Sequence, residues 1–452
     1  SAEIAQATEG VASAPFAVSG VAFDSREVTD GDLFVAMKGE ATDGHRFVDK
    51  AFGQGAAGAI VSEPIAQPHV LVKDSAAALE ALGRASRARM HGKVVGVTGS
   101  VGKTGTKEAL FHALDRICPD EVHRSVKSYN NHVGVPLSLS RMPAASAFGV
   151  FEMGMNHAGE LAQLTRQVRP NVAIVTAIAP AHIEFFGTEE KIAQAKAEIF
   201  QGLEPDGTAV IPYDSPHIAT LYAEAEKYAA RILTFGFDPE ADVHARDMVP
   251  AAGGGTLVTA SLPGAELCFT VGAPGEHWVS NALAVLAAVE ALGGDLAAAG
   301  LALAEMPGLP GRGERRVVPV AGGEALLIDE SYNANPLSMA ATLKQLGKEQ
   351  ASRRIAVLGG MRELGDRSRE LHAGLVEPLS AGQVDYAILV GDEMAPLAEA
   401  LGGVVAFDHV PDSAAATDLI RTEMRAGDAI LVKGSNSIGL SRLVAALGEV
   451  KN

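Results

Sequence analysis

Two cysteines in 452 residues, Cys118 and Cys268, stand far apart and in no CxxC or histidine-paired motif, which excludes a disulfide framework and a zinc site as the basis of the fold. No Lys/Arg run relieves a formal net charge of −18, so a nucleic acid would meet a repelling surface. Nucleotides and phosphates are not excluded, because backbone N–H groups and a few placed cations hold them. No stretch approaches the ~20 apolar residues of a membrane span. Ser1–Gly10 has no basic region followed by an apolar run, so no signal peptide is expected and the chain reads as cytoplasmic and monomeric. Aromatics are only 5%, against abundant Ala and Gly, so a core of small aliphatic side chains is expected.

What is present is a soluble globular composition, 47% hydrophobic and 20% charged, on a chain too long for one core. A prior of about 150 residues per domain suggests about three. Short β-branched or aromatic runs at Gly20–Phe23, Asp32–Met37, Ala59–Val61 and Val70–Val72 predict a small α/β domain over 1–90, ending in a helix at Ser75–Met90. Strands at Val94–Thr98, Phe148–Glu152, Val172–Ala177, Thr208–Ile211 and Arg231–Phe235 then alternate with helices at Lys107–Ile117, Thr188–Leu203 and Val279–Leu292. This rhythm predicts a parallel sheet buried on both faces over 91–312. The Pro/Gly-dense run at Pro307–Gly313 reads as a linker. After it, strands at Ala325–Asp329, Arg354–Leu358, Tyr386–Val390 and Ala429–Val432 and a helix at Pro336–Leu346 predict a Rossmann-like domain over 313–452. The fold class is α/β, with a central P-loop-type domain between the other two.

The run from Val94 to Thr104 is strand, glycine loop and helix start: Thr98, Gly99, Ser100, Val101, Gly102, Lys103 and Thr104 form its working part. Glycines let amides turn inward around a phosphate, Lys103 reaches the terminal phosphates, and the Thr104 hydroxyl ligates Mg²⁺. The pattern GxxxxGK[ST] asks for glycine at 97, where this chain has Val97; Gly96 lies one place early.

Glu152 closes its strand at the carboxyl end, where α/β sheets bind ligands, and reads either as an ordinary strand-end acid or as a second Mg²⁺ ligand. His182, beyond the strand Val172–Ala177, is either structural or a ligand at the same edge. Lys196 lies in the middle of the apolar stripe Ile192, Ile199, Phe200 and Leu203. Either its stem snorkels to water, or a buried amine beside an anion site is functional. His277 and Asn281, at i and i+4, frame an adenine or simply cap a helix. Asp329 ends a strand, where it can bond a ribose, with Arg312 and Lys433 as cations at the same edge.

Taken together these residues resemble the Mur ligase family of peptidoglycan synthesis. The resemblance also rests on Asp24-Ser25-Arg26, Gly31–Ala36, Asn130–Pro136, Glu152-Met153-Gly154, Ala181–Glu184, Ala195–Phe200, Gly311–Glu314 and Asp329–Pro336. Within the family, Ser331–Pro336 and Met361–Gly365 resemble the branch that adds D-alanyl-D-alanine to UDP-N-acetylmuramoyl-tripeptide. The resemblance implies three domains, for the UDP-sugar peptide, ATP and the incoming dipeptide, and an acyl-phosphate intermediate. It implies two Mg²⁺ ions, one held by Thr104 and the other by Glu152 and His182, and a carbamylated Lys196. By the same resemblance Lys103 is catalytic, and His277, Asn281, Asp329 and Arg312 contact the nucleotide. Ser25, Asn130 and Asn131 match UDP-sugar contacts, and Tyr332, Asn333 and Asn335 contacts to the dipeptide. Two positions depart from the pattern: Pro212-Tyr213-Asp214-Ser215 replaces an Asn-x-Asp-Asp run, and Asn436 stands where relatives often carry Arg. The rival readings are a diaminopimelate-adding ligase, whose Asp-Asn-Pro-Arg motif is missing, or a folylpolyglutamate synthase, which the Asp24–Ala36 motif disfavours, and from another class a P-loop binding module without ligase chemistry. The binding module would not need Glu152, His182 and Lys196 at adjacent edges.

Overall fold

Strands whose residues are apolar on both faces collect into three separate, mostly parallel sheets. The computed structural model describes them over residues 1–39, 42–180, 183–252, 254–306 and 308–448. The first sheet orders Val11–Ala12, His69–Leu71, Gly58–Val61, Asp32–Val35 and Gly20–Ala22. All its pairings are parallel except that of Val11–Ala12.

The nine-stranded central sheet has Lys93–Thr98 between Phe148–Glu152 and Val172–Val175. Register sets Val97 opposite Glu152 and Thr98 opposite Val175, so the three carboxyl ends share one level. Thr208–Pro212, Arg231–Gly236 and Val243–Pro250 continue the sheet in parallel. Two antiparallel strands, Thr256–Leu262 and Ala265–Val271, then extend it. No expectation covered this extension. Its alternating burial carries no long apolar run, and Gly264, at φ +76°, makes its tight turn.

The helix Glu276–Leu292 is apolar all round, and Ala282–Val289 are 0–1% exposed. Such a helix belongs inside a core. It packs on the phosphate-loop helix Lys103–Ile117 and on the sheet. That second helix starts four residues before the predicted Lys107, because Gly102 turns the chain directly into it. The predicted helix Thr188–Leu203 is α-helical only over Glu189–Ala197 and tightens to a 3₁₀ turn at Glu198–Gly202. There the Glu198 carboxylate leaves its own helix to accept from Gly159 N and Ala162 N, at 2.8 and 3.2 Å, capping the start of Glu160–Val168.

The six-stranded third sheet orders Glu314–Val320, Gly323–Glu330, Asp428–Lys433, Arg353–Gly359, Tyr386–Val390 and Ala406–Val410. It is parallel apart from Glu314–Val320. The helix Ser75–Arg89 joins the first sheet to the central domain. Its buried Arg87 donates to Val168 O at 2.7 Å and Arg169 O at 2.8 Å, satisfying the last carbonyls of Glu160–Val168. Among the described residues no helix is long and apolar enough to cross a membrane.

Candidate active site

Lys93–Thr98 delivers the chain into a loop that only glycine permits at two points. Gly99 (φ +154°) lies so close to Thr176 that a Cβ would overlap its Oγ1. Gly102 (φ +85°) faces Asn281, whose Oδ1 would stand 2.6 Å from a Cβ. Between them Ser100 Oγ accepts from Ala179 N and donates to Ala179 O, both at 3.0 Å, which ties the loop to the segment after Val172–Val175. The backbone amides of Gly102 and Lys103 thus open the phosphate-loop helix, whose positive end favours an anion. Val97 is fully buried in the sheet. Glycine at 97 is therefore dispensable, because that position is strand and not loop.

Lys103 Nζ donates to Gly99 O at 2.8 Å, folding its side chain back over the loop. Thr104 Oγ1 donates to Glu152 Oε2 and Asn130 Nδ2 to Glu152 Oε1, each at 2.8 Å. Glu152 is 1% exposed, so these bonds fix its orientation. The ordinary strand-end reading does not account for an acid buried against the phosphate-loop threonine. The Thr104 hydroxyl and Glu152 carboxylate are hard oxygen donors of the kind Mg²⁺ takes. Among the described residues no cluster of three or more His, Cys, Asp and Glu forms a metal cage. His182 lies outside the described residues.

Lys196 is 1% exposed, so the snorkelling alternative fails. No hydrogen bond or ion pair reaches its amine among the described residues. Burial, reinforced by the positive charge of Lys103, holds its pKa well below the usual lysine range. Burial also lowers Lys103, against the opposing pull of Glu152. Lys103 thus opposes a positive charge on Lys196, while Glu152 and Glu363 favour one on Lys103 itself.

On the helix Glu276–Leu292, His277 and Asn281 serve different neighbours. Asn281 touches Gly102 and Gly105 of the phosphate loop and its helix, whereas burial keeps the His277 ring below its usual pKa, with Glu330 and Lys433 acting on it from the third domain. The single tryptophan, Trp278, fits between Gly105 and Gly313. Its position at both the loop and the hinge was not visible in the sequence.

In the hinge, Leu309 and Arg312 exchange backbone hydrogen bonds, and the Arg312 guanidinium stacks 4.2 Å from the Tyr332 ring centroid. Asp329 is turned to the same hinge: its carboxylate accepts from Gly311 N at 2.9 Å, Ser331 N at 3.0 Å and Ser331 Oγ at 2.6 Å. Asn335 caps the helix Pro336–Gly347 through its Oδ1, and its buried Nδ2 has no partner among the described residues. Asn333 Oδ1 accepts from Ala334 N, and Asn333 O accepts from the buried Lys433 Nζ at 3.0 Å. Lys433 also pairs with Glu330, and burial holds its pKa down.

Ser25 is buried after the strand Gly20–Ala22, beside a bidentate Asp24–Arg26 pair. Asn131 Oδ1 accepts from Val133 N and Gly134 N, starting the helix Gly134–Ser140. At the departures from pattern, Asp214 accepts from Phe237 N and Asp238 N, and Asn436 opens a 3₁₀ turn at Asn436–Ile438. Sequence reasoning missed Lys107, buried one turn beyond Lys103, and Thr176, packed against Gly99. Lys107 alone left a signal, as a lysine on the face that its helix buries with Leu110 and Leu114.

Comparison with known proteins agrees with this arrangement along the whole chain. Residues 17–92, 97–289 and 312–436 match, respectively, the Mur ligase family catalytic domain, the Mur ligase middle domain and the Mur ligase glutamate ligase domain. The UDP-N-acetylmuramoyl-tripeptide--D-alanyl-D-alanine ligase of Escherichia coli K12 is 34% identical over 444 residues, covering 96% of this chain and 95% of that one. A solved structure of MurF from Acinetobacter baumannii matches with 32% identity and a TM-score of 0.87, covering 99% of this chain and 98% of the other. MurF ligase from Thermotoga maritima, solved in complex with ADP, matches with 29% identity and a TM-score of 0.81 over 96% and 97%. With a relative above 30% identity across nearly its full length, and three successive domains matched, this chain belongs to the Mur ligase family.

Proposed function

We propose that this Mur ligase joins D-alanyl-D-alanine to the terminal carboxylate of a UDP-N-acetylmuramoyl-tripeptide with cleavage of ATP, forming the UDP-muramoyl-pentapeptide of peptidoglycan synthesis. The observation that carries the reading is the buried contact of Thr104 with Glu152 beside Lys103, in a chain similar end to end to ligases of that name. The tripeptide carboxylate oxygen attacks the γ-phosphorus, giving an acyl phosphate and ADP. The dipeptide amine then attacks the acyl carbon, loses its proton, and expels inorganic phosphate.

Lys103 and the loop amides hold the transferring phosphoryl group and meet the charge that develops on it. Thr104 would hold one Mg²⁺ and Glu152 with His182 the other, and the ions would supply further charge neutralisation. Lys196 serves as a carbamate. Burial favours the neutral amine, whose nitrogen attacks CO₂ and gives up a proton to solvent, and the carbamate anion so formed is attracted to Lys103 where the ammonium is repelled. His277, Asn281, Arg312 and Asp329 act on the nucleotide, Asp329 also by shaping the hinge. Ser25, Asn130 and Asn131 act on the UDP-sugar side, and Tyr332, Asn333 and Asn335 on the dipeptide side. The segments 1–90, 91–312 and 313–452 correspond to the UDP-sugar, ATP and dipeptide domains. Contacts between the central and third domains, such as Glu184 N to Glu363 O at 3.3 Å, keep water from the acyl phosphate.

Phosphate release from ATP, measured with each substrate alone and with both, tests the reading. Release is expected to require the tripeptide nucleotide and to be completed by D-alanyl-D-alanine with formation of the pentapeptide. Release at the same rate without either substrate would refute it.

A further inference from the structure

The loop Ser125–Asn130 is held by side chains from all three domains. From the phosphate-loop helix the fully buried Lys107 donates to Ser125 O at 2.9 Å and Lys127 O at 3.0 Å. From the first domain Glu27 accepts from Tyr129 Oη at 2.8 Å and pairs with Lys127. From the third domain Tyr332 Oη donates to Ser128 Oγ at 2.8 Å. The loop in turn holds Glu152. Ser125 Oγ accepts from Glu152 N at 3.2 Å, Asn130 Nδ2 donates to its Oε1 at 2.8 Å, and Asn130 O accepts from Gly154 N at 2.8 Å.

We propose that Ser128 is a positioning residue: its bond to Tyr332 couples the seating of the third domain to the orientation of the Glu152 carboxylate. The inference rests on the ATP-dependent reading above and adds a device to it. Only Tyr129 separates Ser128 from Asn130, so a displacement at Ser128 reaches the amide that fixes Glu152 Oε1. Lys127 holds a left-handed backbone (φ +54°), a conformation that persists only while neighbouring contacts enforce it. Losing the Tyr332 anchor therefore leaves Ser128 held only through its neighbours, Lys127 on Lys107 and Tyr129 on Glu27, and loosens the turn that leads into Asn130. Glu152 then samples orientations that turn Oε2 away from Thr104, and the site takes up Mg²⁺ less readily.

The test compares wild type, Ser128→Ala, Tyr332→Phe and the double variant. Phe keeps the ring under Arg312 and removes only the hydroxyl. Trp278, packed on the phosphate-loop helix, reports binding of a non-hydrolysable ATP analogue by fluorescence while Mg²⁺ is titrated. Each single variant is expected to raise the half-saturating Mg²⁺ concentration about threefold to tenfold, the range of one lost neutral hydrogen bond. The double variant should be no worse than either single, because both remove the same bond. Circular dichroism should give unchanged spectra, since the bond lies outside every core cluster. An unmoved Mg²⁺ requirement in Ser128→Ala, or additive effects in the double variant, would overturn the inference while leaving the ligase reading standing. Wild-type protein that bound no analogue would overturn both.

Discussion

Replacing Lys196 with Met removes an amine that the fold holds at 1% exposure among Ile192, Ile199 and Phe200, each fully buried. Met has similar length and fills irregular apolar space without a charge. In the unfolded chain Lys196 titrates near ~10.4, whereas burial and Lys103 hold the folded pKa well below that. Between the two values the unfolded chain binds one more proton than the folded chain. Wild-type stability therefore rises with pH by about 1.4 kcal/mol per unit through that window, and is lowest below the folded pKa. The Met variant has no such dependence. It is expected to be more stable than wild type at neutral pH, with an advantage that shrinks by about 1.4 kcal/mol per pH unit as pH climbs towards ~10.4. Urea unfolding followed by Trp278 emission, in CO₂-free buffer from about pH 7 to about pH 10, measures this in the domain that contains both residues. In bicarbonate, native mass spectra of wild type should gain one CO₂ per chain and those of the variant none, and ligation by the variant should be abolished. A variant less stable than wild type at neutral pH, or a difference that does not change with pH, would refute the account of Lys196 as an uncompensated buried amine.

Gly102→Ala forces a side chain into φ +85° and towards Asn281 Oδ1, so a loss of about 1–2 kcal/mol and of nucleotide binding is expected, read by thermal melting and Trp278 titration. Glu152→Gln keeps the shape but removes the charge beside Thr104; substrate-dependent phosphate release should fall by about 10²–10³-fold with the melting curve retained, and near-wild-type rates would count against its role. Arg87→Met leaves Val168 O and Arg169 O without their buried donor, so the interface of the first and central domains should lose about 2–3 kcal/mol in denaturant unfolding.

Most of the fold was legible because parallel strands buried on both faces leave continuous apolar runs. Phe148–Glu152 and Tyr386–Val390 are found with the predicted bounds. Where side-chain chemistry overrides periodicity, the sequence misled. The stripe through Ile199 and Leu203 continues a helix on paper, but Glu198 caps a neighbouring helix and the chain tightens there. The strands Thr256–Leu262 and Ala265–Val271 were illegible because their burial alternates at a sheet edge, with Leu257 and Cys268 exposed. The site was legible wherever a residue type was out of place, as with Lys196 on an apolar stripe or Glu152 at a strand end. Ser128 and Trp278 left no such signal. A serine in a loop and a tryptophan on an apolar helix look ordinary until the third domain is set against them.

The same placement resolves how a chain of net charge −18 accommodates a polyphosphate. Cations of the central domain, the hinge and the third domain act on one another near the site. Lys196 is opposed by Lys103, Lys103 by Arg312, and Lys433 by Arg312 in turn. Glu152 acts on Lys103, and Glu330 on Lys433, more strongly than Arg312 does, so carboxylates outweigh the repulsion at both lysines and only Lys196 is opposed without an offset. The seating of the third domain brings Tyr332 to Ser128, so on the proposal above the hinge that stacks Arg312 on Tyr332 also bears on the orientation of Glu152.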